Sequence, residues 1–344
     1  MSGVYVSGYG AVSPAGWGVA PLRQALAGGI PLPVKNLPRP GWSNPLRVRQ
    51  VPPPVTRPDF LSHSRLRRAS PITHHVVAAA LEAIGGDASL VASGSLRLGV
   101  VLCVMSGCVN YSRRFYDEVL RDPGTASPLV FPETVFNAPA SHLASLLGTP
   151  SLNYTLVGDP GTFLGGLALA ANWLAEDRVD ACLVVGAEEV DWLTSDAFHL
   201  FSRQIILSDG AGALYLKKTR EPGALAELKC VTDCHLFVQL SDRARAARKA
   251  RAQLPACSAN HFLADGLQNL PRLDAAETAA WQDWSAERVS PKKILGEGLM
   301  AAAAWQCVVA MDAFDQHGYT AANVSVVGCN QQAVGAHFVN LKTT

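Results

Sequence analysis

Apolar residues along this chain fall into two alternating kinds of segment. Continuous apolar runs, such as Leu98–Met105 and Ala181–Val185, predict strands that are covered on both faces of a sheet. Between such runs lie segments with helical periodicity. Two of them, Thr162–Leu174 and Leu299–Phe314, are apolar nearly all round, which predicts helices in the interior. The alternation predicts an α/β fold.

The same patterns place the remaining elements in two successive series, each of which ends in a buried, alanine-rich helix. We therefore predict two similar halves, residues 1–222 and 223–344. Gly29–Arg57 holds eight of the 22 prolines and predicts an irregular surface excursion. The other predicted strands are Val4–Gly8 (expected to leave into a tight turn), Ser151–Val157, Gly210–Leu216, Ala226–Cys234, Ala256–Phe262, Val324–Gly328 and Ala336–Leu341. The other predicted helices are Ala20–Ala27, Ala69–Ile84, Phe136–Leu147, Ser241–Gln253 and Ala275–Trp284.

Composition excludes several classes of function. The 344 residues carry 29 Lys and Arg against 28 Asp and Glu, so the net charge of +1 gives no reason to expect nucleic-acid binding. Only 17% of residues are charged, which favours a surface partly covered in a subunit interface. The longest apolar stretch is interrupted by Gln306 and Asp312, so no membrane span is expected.

Cysteine usage and the amino terminus bear on the compartment. The eight cysteines include no CxxC pair, which favours buried thiols in a reducing cytoplasm over disulfides or a metal site. Residues 1–10 contain no positively charged side chain, and glycines interrupt the segment early, so no signal peptide is expected. We expect a cytoplasmic protein without metal.

Several segments taken in order resemble the β-ketoacyl synthases, the condensing enzymes of fatty-acid and polyketide synthesis. The resemblance is strong before Leu216 and weaker after it, and the second half is shorter than usual. It implies the thiolase-like fold: two βαβαβ halves in five helix and sheet layers, with Thr162–Leu174 and Leu299–Phe314 in the central layer. The segments that carry it are VYVSGYGAVSPAGWG (4–18), SPLVFPETVFNAPAS (127–141), DRVDACLVVGAEE (177–189), SDGAGA (208–213), DAAE (274–277), KKILG (292–296) and VSVVGCN (324–330).

The family's nucleophile position falls on a residue that cannot perform the chemistry. Condensation requires a thiol at a helix N-terminus, where the helix dipole and free N–H groups favour the thiolate and the oxyanion. The resemblance places this thiol on Pro160. Asp159 and Pro160 instead predict an N-cap followed by a first helical residue, with the aspartate held ionised by the helix dipole.

The two histidines that would stabilise the enolate are also missing from their positions. The first falls on Gly266, although a slip in the alignment could bring His261 there, and the second falls on Glu297. Lys292 is retained, and the family's gating phenylalanine becomes Val326. The residues expected around the former acyl pocket are therefore Asp159, Pro160, Gly161, His261, Gly266, Lys292, Glu297, Val326 and Cys329.

This pattern resembles the non-condensing subunits of the family, the chain length factors. The resemblance implies a catalytically incomplete partner of an active ketosynthase in polyketide, aryl-polyene or fatty-acid-like synthesis, shaping a pocket for the acyl chain. It implies a heterodimer with that ketosynthase, or a homodimer, through the strand predicted at Ser151–Val157. The acyl group would arrive on the phosphopantetheine of an acyl carrier protein, with no other cofactor. The basic helix Ser241–Gln253 predicts a solvated face or a docking face for that carrier.

An enzyme with altered acyl-thioester chemistry is the alternative. Asp159 and Glu297 could act as an acid–base pair if burial separated their pKa values. The competing interpretation of Glu297 is an ion pair with Lys292 or Lys293.

A displaced thiol is a further route to thioester chemistry. Cys108 and Cys329 both follow predicted strands near the pocket, although a buried, inert thiol is the ordinary interpretation of each. The sequence does not decide the chain length, the product or the partner in the dimer.

Overall fold

The strands form one large sheet and one small sheet. The structure, a computed structural model, describes residues 3–150 and 152–343. The strands are β1 (Tyr5–Ser13), β2 (Gly16–Trp17), β3 (Lys35–Leu37), β4 (Leu46–Arg49), β5 (Leu98–Val104), β6 (Asn153–Val157), β7 (Ala181–Glu188), β8 (Leu207–Ser208), β9 (Gly210–Lys217), β10 (Ala226–Val231), β11 (His235–Leu236), β12 (His261–Ala264), β13 (Glu287–Val289), β14 (Ala321–Val327) and β15 (Gln332–Asn340).

The helices lie between these strands and on both faces of the large sheet. Several end at a glycine with a left-handed backbone, as Gly29 does after the first helix with φ of 64°. The helices are α1 (Val19–Gly28), α2 (Pro71–Ile84), α3 (Ala88–Ala92), α4 (Val109–Arg121), α5 (Ala138–Leu147), α6 (Thr162–Ala175), α7 (Trp192–Phe198), α8 (Arg243–Ala252), α9 (Pro271–Ala280), α10 (Pro291–Leu295) and α11 (Met300–His317).

Ten of the twelve strands of the large sheet form two five-stranded sets with the same topology, while β2 pairs with β1 and β11 with β15. The first set has the order β6-β5-β7-β9-β1 and the second has β13-β12-β14-β15-β10. In each set the strand in second place is parallel to both neighbours, and the last two pairings are antiparallel. The two sets are joined through β1 and β10, which pair at Tyr5 with Glu227 and at Val6 with Ala226. The predicted division at 222/223 lies between β9 and β10.

The two interior helices lie between the halves, as predicted. Helix α11 packs on β7 and β9 of the first set, on β12 and β14 of the second, and on α6. Helix α6 packs on β5, β7, β10 and β15. Helices α2 and α5 cover the outer face of the first set, and α8 and α9 cover that of the second. The layers are therefore helix, sheet, helix, sheet, helix, which is the predicted five-layer arrangement.

The first strand differs from the prediction. Strand β1 does not leave into a turn at Gly-Tyr-Gly but continues to Ser13, paired with β9. Its glycines allow helix α2 to approach closely: a Cβ on Gly8 would lie 2.0 Å from the carbonyl oxygen of Ala83, and one on Gly10 2.2 Å from that of Ala79. These glycines therefore serve packing and not a turn.

Several predicted boundaries also move. Gly29–Arg57 is not wholly irregular, since β3 and β4 pair with each other and β4 pairs with β8. The strand predicted at Ala256–Phe262 begins only at His261. The helix predicted at Ala275–Trp284 begins at Pro271, because proline is well suited to the first helical turn. The strand predicted at Ser151–Val157 is β6 from Asn153, and Ser151 lies outside the described residues.

One segment has the length and hydropathy of a membrane span. It is Pro71–Ala92, which comprises α2, α3 and the turn between them. The apolar side chains of α2 pack on β1, β7 and β9, so in this fold they belong to the core between helix and sheet.

Candidate functional site

Several of the residues predicted to surround the acyl pocket follow the carboxyl ends of strands from both halves. Asp159 and Pro160 follow β6, Gly266 follows β12, and Cys329 follows β14. Open α/β sheets characteristically bind ligands beyond the carboxyl ends of their strands. The charges of Lys292 and Glu297 affect the pKa values of both Asp159 and Cys329, so the two halves contribute to one cluster.

The start of helix α6 has its first amide groups occupied by the main chain. The N–H of Thr162 donates to the carbonyl of Asp159 at 2.8 Å, that of Phe163 to Pro160 at 3.2 Å, and that of Leu164 to Gly161 at 3.0 Å. The predicted side-chain cap is therefore wrong. The cap residue is Gly161, no side chain caps the helix, and the backbone turn over 159–161 takes the place of an aspartate cap.

The carboxylate of Asp159 contacts the opposite half. Its Oδ2 accepts hydrogen bonds from the N–H groups of Gln331 at 3.3 Å and Gln332 at 3.1 Å, in the turn between β14 and β15. A Cβ on Gly328 would lie 1.7 Å from this oxygen, so only glycine allows the turn to approach so closely. Oδ1 is buried without a partner among the described residues.

Burial raises the pKa of Asp159 above the ordinary aspartate value, and the two turn amides oppose this effect. The raised pKa runs against the expectation that the helix dipole holds this carboxyl ionised, and Oδ2 accepts its hydrogen bonds from Gln331 and Gln332 and not from the helix amides.

Glu297 is bonded at both oxygens. Lys292 Nζ donates to Oε2 at 2.7 Å, and the N–H of Leu299 donates to Oε1 at 2.9 Å. Glu297 is 2% exposed and Lys292 is 3% exposed. Burial alone would lower the pKa of Lys292, but Glu297 and further negative groups keep it above the ordinary lysine value. The ion-pair interpretation of Glu297 therefore describes the geometry, with Lys292 and not Lys293 as the partner.

Gly266, the first histidine position, faces a carboxylate. Its N–H donates to Glu277 Oε1 at 3.1 Å. A Cβ on Gly266 would lie 3.0 Å from Glu277 Oε2 and 3.7 Å from Lys292 Nζ, so Glu277 fills the space that a side chain would enter. Burial raises the pKa of Glu277, and the charge of Asp265 adds to this effect.

The other predicted residues are placed less favourably for chemistry. His261 begins β12 and lies at the opposite end of that strand from Gly266, near the rings of Trp284 and His337. It therefore does not occupy the histidine position. Val326 lies within β14 and packs in the core between the halves.

The two candidate thiols are buried. Burial raises the pKa of Cys329 to about 12, with Glu297 adding to the effect. Burial likewise raises the pKa of Cys108, whose Sγ contacts the carbonyl oxygen of Val135. Reactive thiols need accessible, electropositive surroundings, and both cysteines are inaccessible, although Lys292 and Arg243 partly oppose the rise in the pKa of Cys329.

Three residues at this cluster were not singled out from the sequence. Glu277 lies in the segment 274–277, which carries part of the family resemblance, but the sequence indicated no role for it. Gln332 bridges the halves by donating from Nε2 to the carbonyl of Asp159 and to Thr162 Oγ1; nothing in its sequence context indicated this.

Arg243 is the third of these residues. It lies in the basic helix α8, yet it is buried and donates to the carbonyls of Gly328, Val327 and Leu273. The sequence spacing could have indicated this burial, because Arg243 lies on the same helix face as the buried residues Ala246, Ala247 and Ala250.

The cluster is closed in this structure. Of the nine residues predicted around the pocket, His261 is half-buried and the others are buried. Within residues 3–150 and 152–343, no group of three or more His, Cys, Asp and Glu side chains could hold a metal ion. The arrangement therefore presents a buried ion pair within the second half and hydrogen bonds between the halves, without a thiol or imidazole at the positions that the resemblance assigns to catalysis.

Comparisons with known proteins agree with this architecture. The sequence profile of the 3-oxoacyl-[acyl-carrier-protein] synthase III family matches residues 160–234. A search of curated proteins found no match. The ishigamide ketosynthase/chain length factor superposes with a TM-score of 0.82 at 20% identity, over 98% of this chain and 99% of that chain.

Two further solved structures superpose over nearly their whole length. A β-ketoacyl synthase from Burkholderia phymatum gives a TM-score of 0.80 at 17% identity, over 99% of this chain and 100% of that chain. A ketosynthase (ApeO) in complex with its chain length factor (ApeC) from Xenorhabdus doucetiae gives 0.79 at 15% identity, over 98% of each chain. The chain therefore has the thiolase-like fold of these ketosynthases and chain length factors, and the fold that the sequence resemblance implied is confirmed.

Proposed function

We propose that this chain is a non-condensing, chain-length-factor-like subunit that pairs with an active ketosynthase. The observation that carries the proposal is the start of helix α6. Pro160 stands at the nucleophile position, and the first helix amides are bonded to the carbonyls of residues 159–161. An acyl-enzyme needs a nucleophile and N–H donors for the oxyanion at this point, whereas Pro160 has neither a nucleophilic side chain nor a backbone N–H, and the N–H groups of residues 162–164 are bonded to the main chain.

The second half supports the same proposal. Glycine and glutamate replace the two histidines, and Glu297 is held by Lys292 and by the N–H of Leu299. Enolate stabilisation requires proton or hydrogen-bond donors aimed at the substrate, whereas a carboxylate bonded at both oxygens offers neither. The alternative, acid–base chemistry by Asp159 and Glu297, is weaker because Glu297 is bonded at both oxygens and because both carboxylates are buried in a closed cluster.

Strand β6 offers an interface for the partner. It is the edge strand of its set, paired on one side only, to β5. Tyr154 is 47% exposed and Val157 is 53% exposed. Pairing with a strand of another subunit would satisfy the free backbone groups of the edge and cover these side chains.

A neighbouring apolar surface would extend this interface. Helix α4 is strongly amphipathic but contains no buried residue among its 13, and Tyr116 and Leu120 on it are exposed. Phe131 and Phe136 nearby in sequence are exposed as well. Several exposed apolar side chains of this kind are typical of a surface that a partner or an acyl chain covers.

The acyl chain shaped by such a pair would be delivered by a carrier protein. One superposed structure, AntDE:AntF, is described as a type II polyketide acyl carrier protein in complex with its ketosynthase bound to a hexaketide, with a TM-score of 0.79 at 15% identity. By analogy we place this chain in polyketide, aryl-polyene or fatty-acid-like synthesis, with acyl-phosphopantetheine as the only acyl source. A cytoplasmic location and the absence of metal and redox cofactors remain predictions.

Co-expression with a ketosynthase that has the complete Cys-His-His set tests the proposal. We expect a stable complex, with acyl transfer by the pair and no acyl adduct on this chain when mass spectrometry follows incubation with an activated acyl donor. The matched control is the same ketosynthase with its cysteine replaced by alanine, which should still form the complex but lose activity. An adduct on this chain alone, or a stable monomer that binds no ketosynthase, would contradict the proposal.

A further inference from the structure

A separate cavity of about 490 Å³ lies between the β3–β4 hairpin and helix α7. It shares no lining residue with the cluster around Asp159. Its volume is within the range of small-molecule sites, about 300–1,000 Å³. One wall is the tip of the hairpin, with Arg39 and Trp42, and the other is formed by α7 and the residues after it, with Asp196, His199 and Arg203.

The hairpin wall is an ordered aromatic platform. The guanidinium of Arg39 lies 3.9 Å from the centre of the Trp42 ring, and its Nη2 pairs with Asp196 Oδ1 at 2.6 Å. The backbone N–H of Trp42 donates to the backbone carbonyl of Arg39 at 3.0 Å, which fixes the turn. Trp42 is nevertheless 64% exposed. An exposed indole held in place by its neighbours is well suited to an apolar ligand group.

The opposite wall combines cationic and apolar groups. Arg203 is exposed and forms no ion pair in residues 3–150 and 152–343, while the only carboxylate on the lining, Asp196, is taken by Arg39. His199 also lines this wall, and Leu200 on the same wall is 88% exposed. The cavity therefore has a net positive charge next to apolar surface.

We propose that this cavity binds an amphiphilic organic anion. The anionic head would pair with Arg203, and the apolar tail would lie on Trp42 and Leu200. A guanidinium binds both carboxylates and phosphates well, and the experiment below distinguishes these two classes of head group. This inference does not depend on the proposed pairing with a ketosynthase.

Isothermal titration calorimetry of the full chain with decanoate and with decyl phosphate, below their micelle concentrations, tests the proposal. We expect binding of at least one, with the tighter ligand identifying the class of the head group. Inorganic phosphate and decanol, which supply only the head or only a tail, should bind more weakly. We expect Arg203→Gln and Trp42→Ala each to weaken binding about tenfold, the scale of one charged hydrogen bond or one buried apolar contact.

The matched control is Arg248→Gln, which removes an exposed arginine on helix α8 away from this cavity. It should leave the affinity unchanged, and because all three side chains are largely exposed, the variants should fold. The proposal is overturned if Arg203→Gln and Trp42→Ala bind as tightly as the original chain, which would locate the ligand elsewhere. It is also overturned if decanol binds as tightly as the anions, or inorganic phosphate as tightly as decyl phosphate.

Discussion

The buried ion pair between Lys292 and Glu297 gives the most direct test of the site geometry. The perturbation is Glu297→Gln, which keeps the size of the side chain and its acceptor for the N–H of Leu299. It removes the negative charge that Lys292 contacts at 2.7 Å. The matched variants are Lys292→Met, Glu297→Leu and the double replacement that combines these two, so additivity is judged on the same substitutions.

The expected magnitude follows from the burial of both groups. Removing one member of a buried pair leaves an uncompensated charge, which typically costs about 3–5 kcal/mol of unfolding free energy. Replacing both members with apolar side chains of similar volume is often close to neutral, within about 1 kcal/mol. The single variants should therefore be much less stable than the double variant, so the two effects are far from additive.

Urea denaturation followed by tryptophan fluorescence at one protein concentration measures these differences. The Glu297→Gln deficit should also shrink as the pH rises toward 10. In that variant burial lowers the pKa of Lys292, so the folded state binds fewer protons than the unfolded state and its stability increases with pH. Single variants that cost under about 1 kcal/mol, or a double variant that costs the sum of the two, would refute the reasoning.

Three further predictions concern catalysis, assembly and pH. Pro160→Cys should yield no acyl adduct by mass spectrometry, because the first amides of α6 stay bonded to backbone carbonyls and no histidine is restored; an adduct would show that a thiol alone suffices. Val157→Arg should abolish co-elution with a ketosynthase, whereas the control Leu90→Arg, at another exposed apolar position, should not; equal behaviour would exclude β6 from the interface. Burial raises the pKa of Glu188 from 4.5 to about 7, so the folded state keeps a proton that the unfolded state loses, and stability should fall by up to about 3 kcal/mol as pH rises from 5 to 8. Glu188→Gln should remove that part of the fall in thermal or urea melts, and an unchanged pH slope would contradict the assignment.

Much of the fold could be predicted from the local pattern of apolar residues. Continuous apolar runs predicted β5 and β7, and segments apolar on all sides predicted α6 and α11 as the interior layer. These elements are buried on every side, so nearly all of their side chains are apolar. Such a composition is recognisable within a short stretch of sequence. The glycines of β1 show the limit of local pattern, because the same residues suit a tight turn and a close helix contact, and only the position of α2 distinguishes them.

The candidate site divides in the same way. The sequence by itself determined that position 160 has no thiol and that positions 266 and 297 have no imidazole, because side-chain chemistry is independent of folding. Only the tertiary structure decided that Asp159 bonds to the β14–β15 turn, that Glu297 pairs with Lys292, and that Arg243 is buried. Hydrogen bonds and ion pairs act over a few ångströms, and these partners come from segments that only the packing of the two halves around α6 and α11 brings together.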